Sequence, residues 1–383
     1  MTLPQSPRFR QAGLSLIELM VSMVIGLLLM LGVIQIFIAS QAASRLSEGV
    51  ARAQENGRFA LDFLERDIRM AGHTGCVNDQ AHMTLGLGEP HYNLGAATGS
   101  GSPLDFSVAV QGYEAPNTGP TATLAVGKGS VPTGLPGAIA SLNPAPMPGS
   151  DILVLRFLAP EGVPVLGVAG SKLTVDATRW QRLTGGGVAS PTLFGVANCE
   201  SVDFFGGTTS AGTITASGVD LSRYAPQPEP TVVYRAESLV YYIGNGASGP
   251  GLRRARANSA GAYAINEELV EGIENMQVLF GLDTTTNIST STPPVGNITT
   301  LNTASAVTTQ ANATGANQWR RVGQVQVGLI ARSPSSASAS KPKDAAAKLG
   351  VLGMTYDQDG VTDGRYRTSY EVSIALRNRL FGN

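Results

Sequence analysis

Three carboxylates crowd the stretch "DQDGVTDG": Asp357, Asp359 and Asp363, with Gly360 and Gly364 among them. Oxygen ligands spaced around a glycine turn suit a hard cation such as Ca2+, which takes several oxygens at flexible geometry. The distal bidentate Glu of a helix–loop–helix calcium loop is missing, and Asp also favours ordinary turns just ahead of a strand. The cluster is therefore either a Ca2+ site or a solvated turn. A second group, His73, Cys76, His82 and His91, brings ring nitrogens and a thiol together at spacings that match no ordinary zinc site. In "GLRRARANS", Arg253, Arg254 and Arg256 could meet phosphates. The aromatic residues of a single-strand platform are not interleaved with them, so the plainer reading is a solvated strand edge and no nucleic acid is expected as a partner. Neither a G-x-x-x-x-G-K-[ST] phosphate loop nor a G-x-S-x-G nucleophile elbow occurs. No catalytic set emerges, and the chain is expected not to be an enzyme and to need no cofactor beyond that candidate Ca2+.

One further carboxylate is out of place. Glu18 sits near the start of the apolar run "QAGLSLIELMVSMVIGLLLMLGVIQIFIAS", residues 11–40. An ionised Glu at the centre of a bilayer costs about 2.5–3.5 kcal/mol on insertion scales, less near the interface. From Leu14 to Ile38 the run is long and apolar enough to span a membrane as a helix. Arg8 and Arg10 flank its N-terminal side without an acid, which places that end in the cytoplasm. A cleaved secretory signal fits poorly, because the run is too long and no A-x-A type site follows it.

The helical pattern continues past the apolar run. Leu46, Val50, Ala53, Gly57, Leu61, Leu64 and Ile68 recur at three–four spacing, with Arg45, Glu48, Arg52, Glu55, Arg58, Glu65 and Arg69 on the other faces. Gly72 is the expected stop. One helix from Leu14 to Ala71 would measure about 87 Å. Residues 14–40 are its transmembrane part, 41–72 its amphipathic continuation, and 73–383 form a separate β-rich head.

Composition supports a strand-and-loop head. Charged residues make up 14% of the 383-residue chain, against 46 Gly and 22 Pro, and the formal charge is −1, so no global field draws it to nucleic acid or anionic lipid. Segments 151–158, 171–176, 231–244 and 273–282 read as strands. In 322–331, Val325, Val327, Leu329 and Ala331 share one face, and in 367–378 Tyr370, Val372, Ile374 and Leu376 do the same. The expected fold class is α+β, an antiparallel sheet with one face packed on the second half of the helix. Residues 86–150 and the uncharged 284–318 look like long loop insertions, mobile or functional. Cys76 and Cys199 allow one internal pairing; if the head is exported, an oxidising compartment favours that disulfide.

The junction Gly13–Leu14, followed by "LSLIEL" and an unbroken apolar helix, resembles the processing site of type IV prepilins. The resemblance implies a pilin-like fold and a leader, residues 1–13, removed by a membrane prepilin peptidase that cuts after Gly13 and methylates Leu14. The family's usual first residue is Phe, so Leu14 is a mild departure. The resemblance also gives Glu18 a partner, the N-terminal amine of an adjacent subunit in the filament. "ARAQENGRFALDFLERDIRMAGHTGC" (51–76), "WRRVGQVQVGLIARS" (319–333) and "RYRTSYEVSIALRNRL" (365–380) are similar to the PilW family of minor pilins. The type II secretion pseudopilin GspJ shares the plan and is the nearest competitor. The implied function is a structural subunit that primes pilus assembly at or near the tip, supporting twitching motility and adhesion. Its implied partners are the prepilin peptidase, other minor pilins, the major pilin and a large tip adhesin. Its implied location is the inner membrane before assembly and the pilus afterwards. A third reading is a tip-located binding module for surfaces or DNA, acting through 284–318 or the arginines.

Overall fold

The computed structural model describes residues 13, 15–76, 90–225, 230–289, 292, 294–337 and 348–378. A single helix, Leu16–Met70, runs for 55 residues, about 82 Å. The chain turns away at Gly72, whose φ of +77° is left-handed as a helix stop requires. Asn378, near the other end of the chain, donates its side-chain amide to the carbonyls of Arg69 (3.1 Å) and Ala71 (3.4 Å). Two of the carbonyls orphaned at the helix end are satisfied in this way.

The buried face of the helix is Gly49, Ala53, Gly57, Ala60, Leu64, Asp67 and Ile68. It is rotated from the expected stripe: Leu46 is exposed, and Val50 and Leu61 are only half-buried. Small residues explain the rotation, since they let the helix axis approach the sheet. A Cβ on Gly57 would lie 2.3 Å from the Tyr370 ring.

The helix packs on a four-stranded antiparallel sheet ordered Ile298–Asn302, Ile273–Asp283, Val322–Arg332, Arg367–Ala375. Ala60, Leu64 and Ile68 share a core with Val325, Val327, Leu329 and Ile374, as the alternation of the last two strands predicts. The opposite face is covered as well. Ile330 packs with Leu124, Val351, Met354 and Tyr356 of a three-stranded sheet formed by Lys348–Val351, Met354–Asp357 and Thr123–Ala125.

The remaining strands form a ten-stranded sheet, so the expectation of one sheet with one packed face is corrected to three sheets. Part of the large sheet closes on itself. The second half of Ile152–Ala169 pairs Lys172–Val175, which pairs Thr213–Ala216, then Val202–Ser210, Leu193–Ala197 and the start of Val232–Gly246, which returns to the first strand. Val163, Leu173, Phe194, Phe205, Ile214 and Val233 fill this small barrel. Closure leaves those strands no free edge. Strand Ile152–Ala169 serves both the barrel and the open sheet because its register shifts between Leu158 and Gly162, around Pro160, a place where a proline is tolerated.

Both insertions carry structure. Val110–Tyr113 is a strand of the large sheet, and 284–318 holds strand Ile298–Asn302 and the short helices Ala304–Val307 and Ala313–Trp319. Two carboxyls lock the first insertion down. Asp151 accepts from the backbone N–H groups of Ala115 (2.8 Å) and Val278 (2.9 Å), and Glu114 from that of Ala304 (3.2 Å). Burial pushes Glu114 up to about 7 against the opposing pull of its hydrogen bonds from Ala304 and Thr303. Burial also pushes Asp151 well above the usual carboxylate range, with the Glu114 charge adding to it. A folded pKa above the unfolded one means that protonation favours the native state. The Glu114 contribution is therefore complete below 4.5 and lost as pH rises through about 7. Thermal melts from about pH 5 to 8 should show the wild-type Tm falling relative to that of Glu114→Gln, which cannot titrate. Parallel profiles for the two proteins would take Glu114 out of this dependence.

Candidate functional site

The functional residues fall at the start of the helix and at its junction with the head. At the start, Ser15 is the N-cap: its Oγ accepts from the backbone N–H of Glu18 at 3.2 Å. Ser15 and Glu18 are thus spaced as S-x-x-E, a helix-start signal that the search for processing and assembly residues passed over. Glu18 lies in the first turn, where a carboxylate opposes the positive end of the helix dipole for about 0.3–1 kcal/mol. Its side chain is exposed and has no partner among the described residues. Gly13 is exposed beside it; Leu14 lies outside the described residues. From Leu16 to Ile38 the large apolar side chains are 44–77% exposed. No described part of the head covers them, and this is the one described helix apolar and long enough to cross a membrane.

At the junction, Asp67 is 5% exposed in the last turns of the helix. It takes a hydrogen bond from the Tyr241 hydroxyl and an ion pair with Arg254 at 3.0 Å. Tyr241 and Arg254 are cross-strand neighbours, and Arg254 also meets Glu267 at 2.8 Å on the next strand. Burial pushes the Tyr241 hydroxyl well up and the Asp67 charge adds to it, so the phenol stays protonated as the donor. The helix is thereby tied by charge to three consecutive strands.

That network overturns both readings of the arginine run. Arg253, Arg254 and Arg256 are all buried, so they form neither a nucleic-acid patch nor a solvated edge. Arg256 and Arg235 grip the two oxygens of buried Glu237 at 2.6 and 2.5 Å, while Arg253 faces Glu268 at 3.7 Å. Buried guanidiniums survive because each finds a carboxylate once the strands and helix are packed.

The aspartates of "DQDGVTDG" do not converge on a cation. Asp357 caps the N–H of Asp359 and Asp359 that of Gly360, both at 2.9 Å, as in ordinary turns. Asp363 instead pairs with Arg367 at 2.6 Å and accepts from the Arg365 N–H. Its partial burial alone would raise its pKa; those hydrogen bonds outweigh it and hold the carboxyl below the usual range. Among the described residues no group of three or more His, Cys, Asp or Glu could hold a metal ion. The zinc spacing fails likewise. His73 Nδ1–H donates to the Leu158 carbonyl at 2.8 Å, His91 lies 3.8 Å from Asp203, and His82 is outside the described residues.

Cys76 and Cys199 are joined, with Cα atoms 5.1 Å apart. The bond ties the chain just beyond the helix to the turn between two barrel strands, Leu193–Ala197 and Val202–Ser210.

Residues 240–378 match the family model described as Type IV Pilus-assembly protein W, and residues 8–34 match the Prokaryotic N-terminal methylation motif. No curated protein and no solved structure matches the chain. The first match takes in Tyr241, Arg254 and Glu267 of the junction and the sheet beneath the helix; the second takes in Gly13, Ser15 and Glu18. The chain is thus similar to the PilW family over residues 240–378, and its methylation motif opens the exposed half of a helix whose other half is locked to the head.

Proposed function

We propose that the chain is a minor pilin that primes type IV pilus assembly and sits at or near the tip. The observation that carries this reading is the bare apolar half of the helix, Leu16–Ile38, whose continuation is bonded to a large head through Asp67. Such a surface needs lipid before assembly and like helices afterwards, because water does not stabilise it. A head of this size fits best where neighbours do not enclose it, which favours the tip over the shaft. The prepilin peptidase would cut after Gly13 and methylate Leu14, with the N-terminus facing the cytoplasm. Other minor pilins, the major pilin and a tip adhesin are the partners this role requires, and twitching and adhesion would depend on it.

Glu18 is the assembly contact in this reading. Packed among apolar helices, its charge would be costly unless the N-terminal amine of an adjacent subunit met it, which would also set axial register. Glu18→Ala should leave membrane insertion and cleavage near wild-type levels, because the cap uses the backbone N–H of residue 18 rather than its carboxylate. Incorporation into sheared filaments should fall at least about tenfold, the loss expected of an uncompensated charge contact. The dipole contribution of Glu18 is too small to account for such a loss. Wild-type amounts of the variant in filaments would remove Glu18 from the contact.

A further inference from the structure

A cavity of about 210 Å³ lies between residues 188–193, which lead into the barrel, and strands Val232–Gly246, Gly249–Ala257 and Tyr263–Glu271. It falls below the range of drug-sized ligand sites, so an occupant must be small. Part of the lining is apolar, from Val188, Pro191, Leu193, Ala257 and Ile265. Arg235 and Arg256 are the only charged residues in it among those described.

Both guanidiniums are anchored from behind. Glu237 accepts from the Nε of each, at 2.5 and 2.6 Å. The Arg235 Nη1 donates to the carbonyls of Leu183 (2.7 Å) and Gly185 (2.6 Å), and the Arg256 Nη1 to that of Gly186 at 3.4 Å. Gly186 and Gly187, at φ of +67° and +82°, make the left-handed turn that follows these carbonyls. The Nη2 of each arginine has no partner among the described residues. The side chains keep 10% and 8% of their surface open, and neither Nη2 is among the sealed, unpaired atoms.

The other polar groups left over are donors too. Thr192 Oγ1 accepts from the Ser259 N–H at 3.1 Å, which frees its O–H to donate. Asn258 Oδ1 accepts from the N–H groups of Ala260 and Ala262 at 3.0 and 3.1 Å, which leaves its Nδ2. Two guanidiniums held by one carboxylate carry a net charge of about +1 into a poorly hydrated place, which favours an anion there.

We propose that this cavity binds a small monocarboxylate with a short aliphatic tail. Its oxygens accept from the Nη2 groups of Arg235 and Arg256, and its tail rests on Val188, Leu193 and Ile265. An ionised carboxylate only accepts, which matches a lining whose spare polar groups donate, and its bonds to guanidinium are charge-assisted. Phosphate brings more than one negative charge at neutral pH and no apolar part. An amide of the same shape brings no charge at all. The site is independent of the pilin reading, and its test uses no filament.

The experiment follows carboxyl-13C-labelled acetate, propionate and butyrate by 13C relaxation as they are titrated onto the full chain in maltoside micelles at neutral pH. Carbonyl-labelled propionamide and inorganic phosphate, the latter followed by 31P, are the comparators. Propionate or butyrate should bind with Kd near or below about 1 mM, and propionamide at least about tenfold more weakly. Ser190→Glu places a carboxylate on an exposed residue of the lining and should weaken binding at least about tenfold. Ser190→Gln, of the same size without the charge, should bind as wild type does. Arg256→Lys keeps a cation beside Glu237 but lacks the second arm, and should weaken binding about tenfold; the Ser190 pair decides the matter if that variant fails to fold. The proposal is overturned if no carboxylate binds by about 10 mM, if propionamide or phosphate binds as well as propionate, or if the two Ser190 variants behave alike.

Discussion

Asp67→Ala should lower stability by about 3–5 kcal/mol, the usual cost of removing one partner from a buried ion pair. The side chain itself is small; the cost lies in what it leaves behind. Arg254 would keep only Glu267, whose side chain is 39% exposed, and the Tyr241 hydroxyl would lose its acceptor in a fully buried position. For a head of this size the corresponding drop in Tm is about 6–10 °C. Hydrogen exchange should place the damage, with protection falling first along the second half of the helix, where Ala60, Leu64 and Ile68 enter the shared core. The triple variant Asp67→Ala, Arg254→Met, Tyr241→Phe should recover most of the loss, because apolar replacement of a whole buried network is close to neutral. A single variant as stable as wild type would mean that the small-residue face alone holds the helix on the sheet.

Asp67 also shows where the sequence can be read and where it cannot. The helix and the two last strands were legible because period is a local property: three–four spacing over many turns, and alternation in 322–331 and 367–378. The disulfide was legible as the one pairing two cysteines allow. Contacts between distant segments were not. Asp67 looks like any polar residue on an amphipathic helix until Tyr241 and Arg254 arrive from the sheet. The strand Gly249–Ala257 carries three arginines and so resembles a surface, yet each charge is neutralised by a carboxylate it meets only after the strands pair. Barrel closure depends on one long strand shifting register at Pro160 and exchanging Val110–Tyr113 for Lys172–Val175 along one edge, which no local pattern encodes. The same holds for the two insertions. Both stood out in the sequence, and only the fold brings the Glu114 carboxylate of one to the Ala304 N–H of the other.

Removing both cysteines should cost the head up to about 5 kcal/mol, and the cost should appear in the rate of folding rather than of unfolding. The bond closes a segment of 123 residues, and the chain-entropy model assigns its effect to the unfolded ensemble, which it restricts. The native contacts around Cys76 do not depend on it. The Gly72 N–H donates to the Arg156 carbonyl at 3.2 Å, the Leu158 N–H donates to the His73 carbonyl at 2.8 Å, and the His73 ring donates to the Leu158 carbonyl. Those bonds already hold the chain beyond the helix against strand Ile152–Ala169. Cys76→Ser with Cys199→Ser should therefore leave the native spectrum and the unfolding rate near wild type while refolding slows, because the 123-residue loop must now be closed from an open chain. Stopped-flow refolding and unfolding of the oxidised protein and the double variant separate the two limbs. A faster unfolding limb with unchanged refolding would make the bond a clamp on the native joint between helix and barrel, and the junction would then rest on covalent restraint as well as on Asp67.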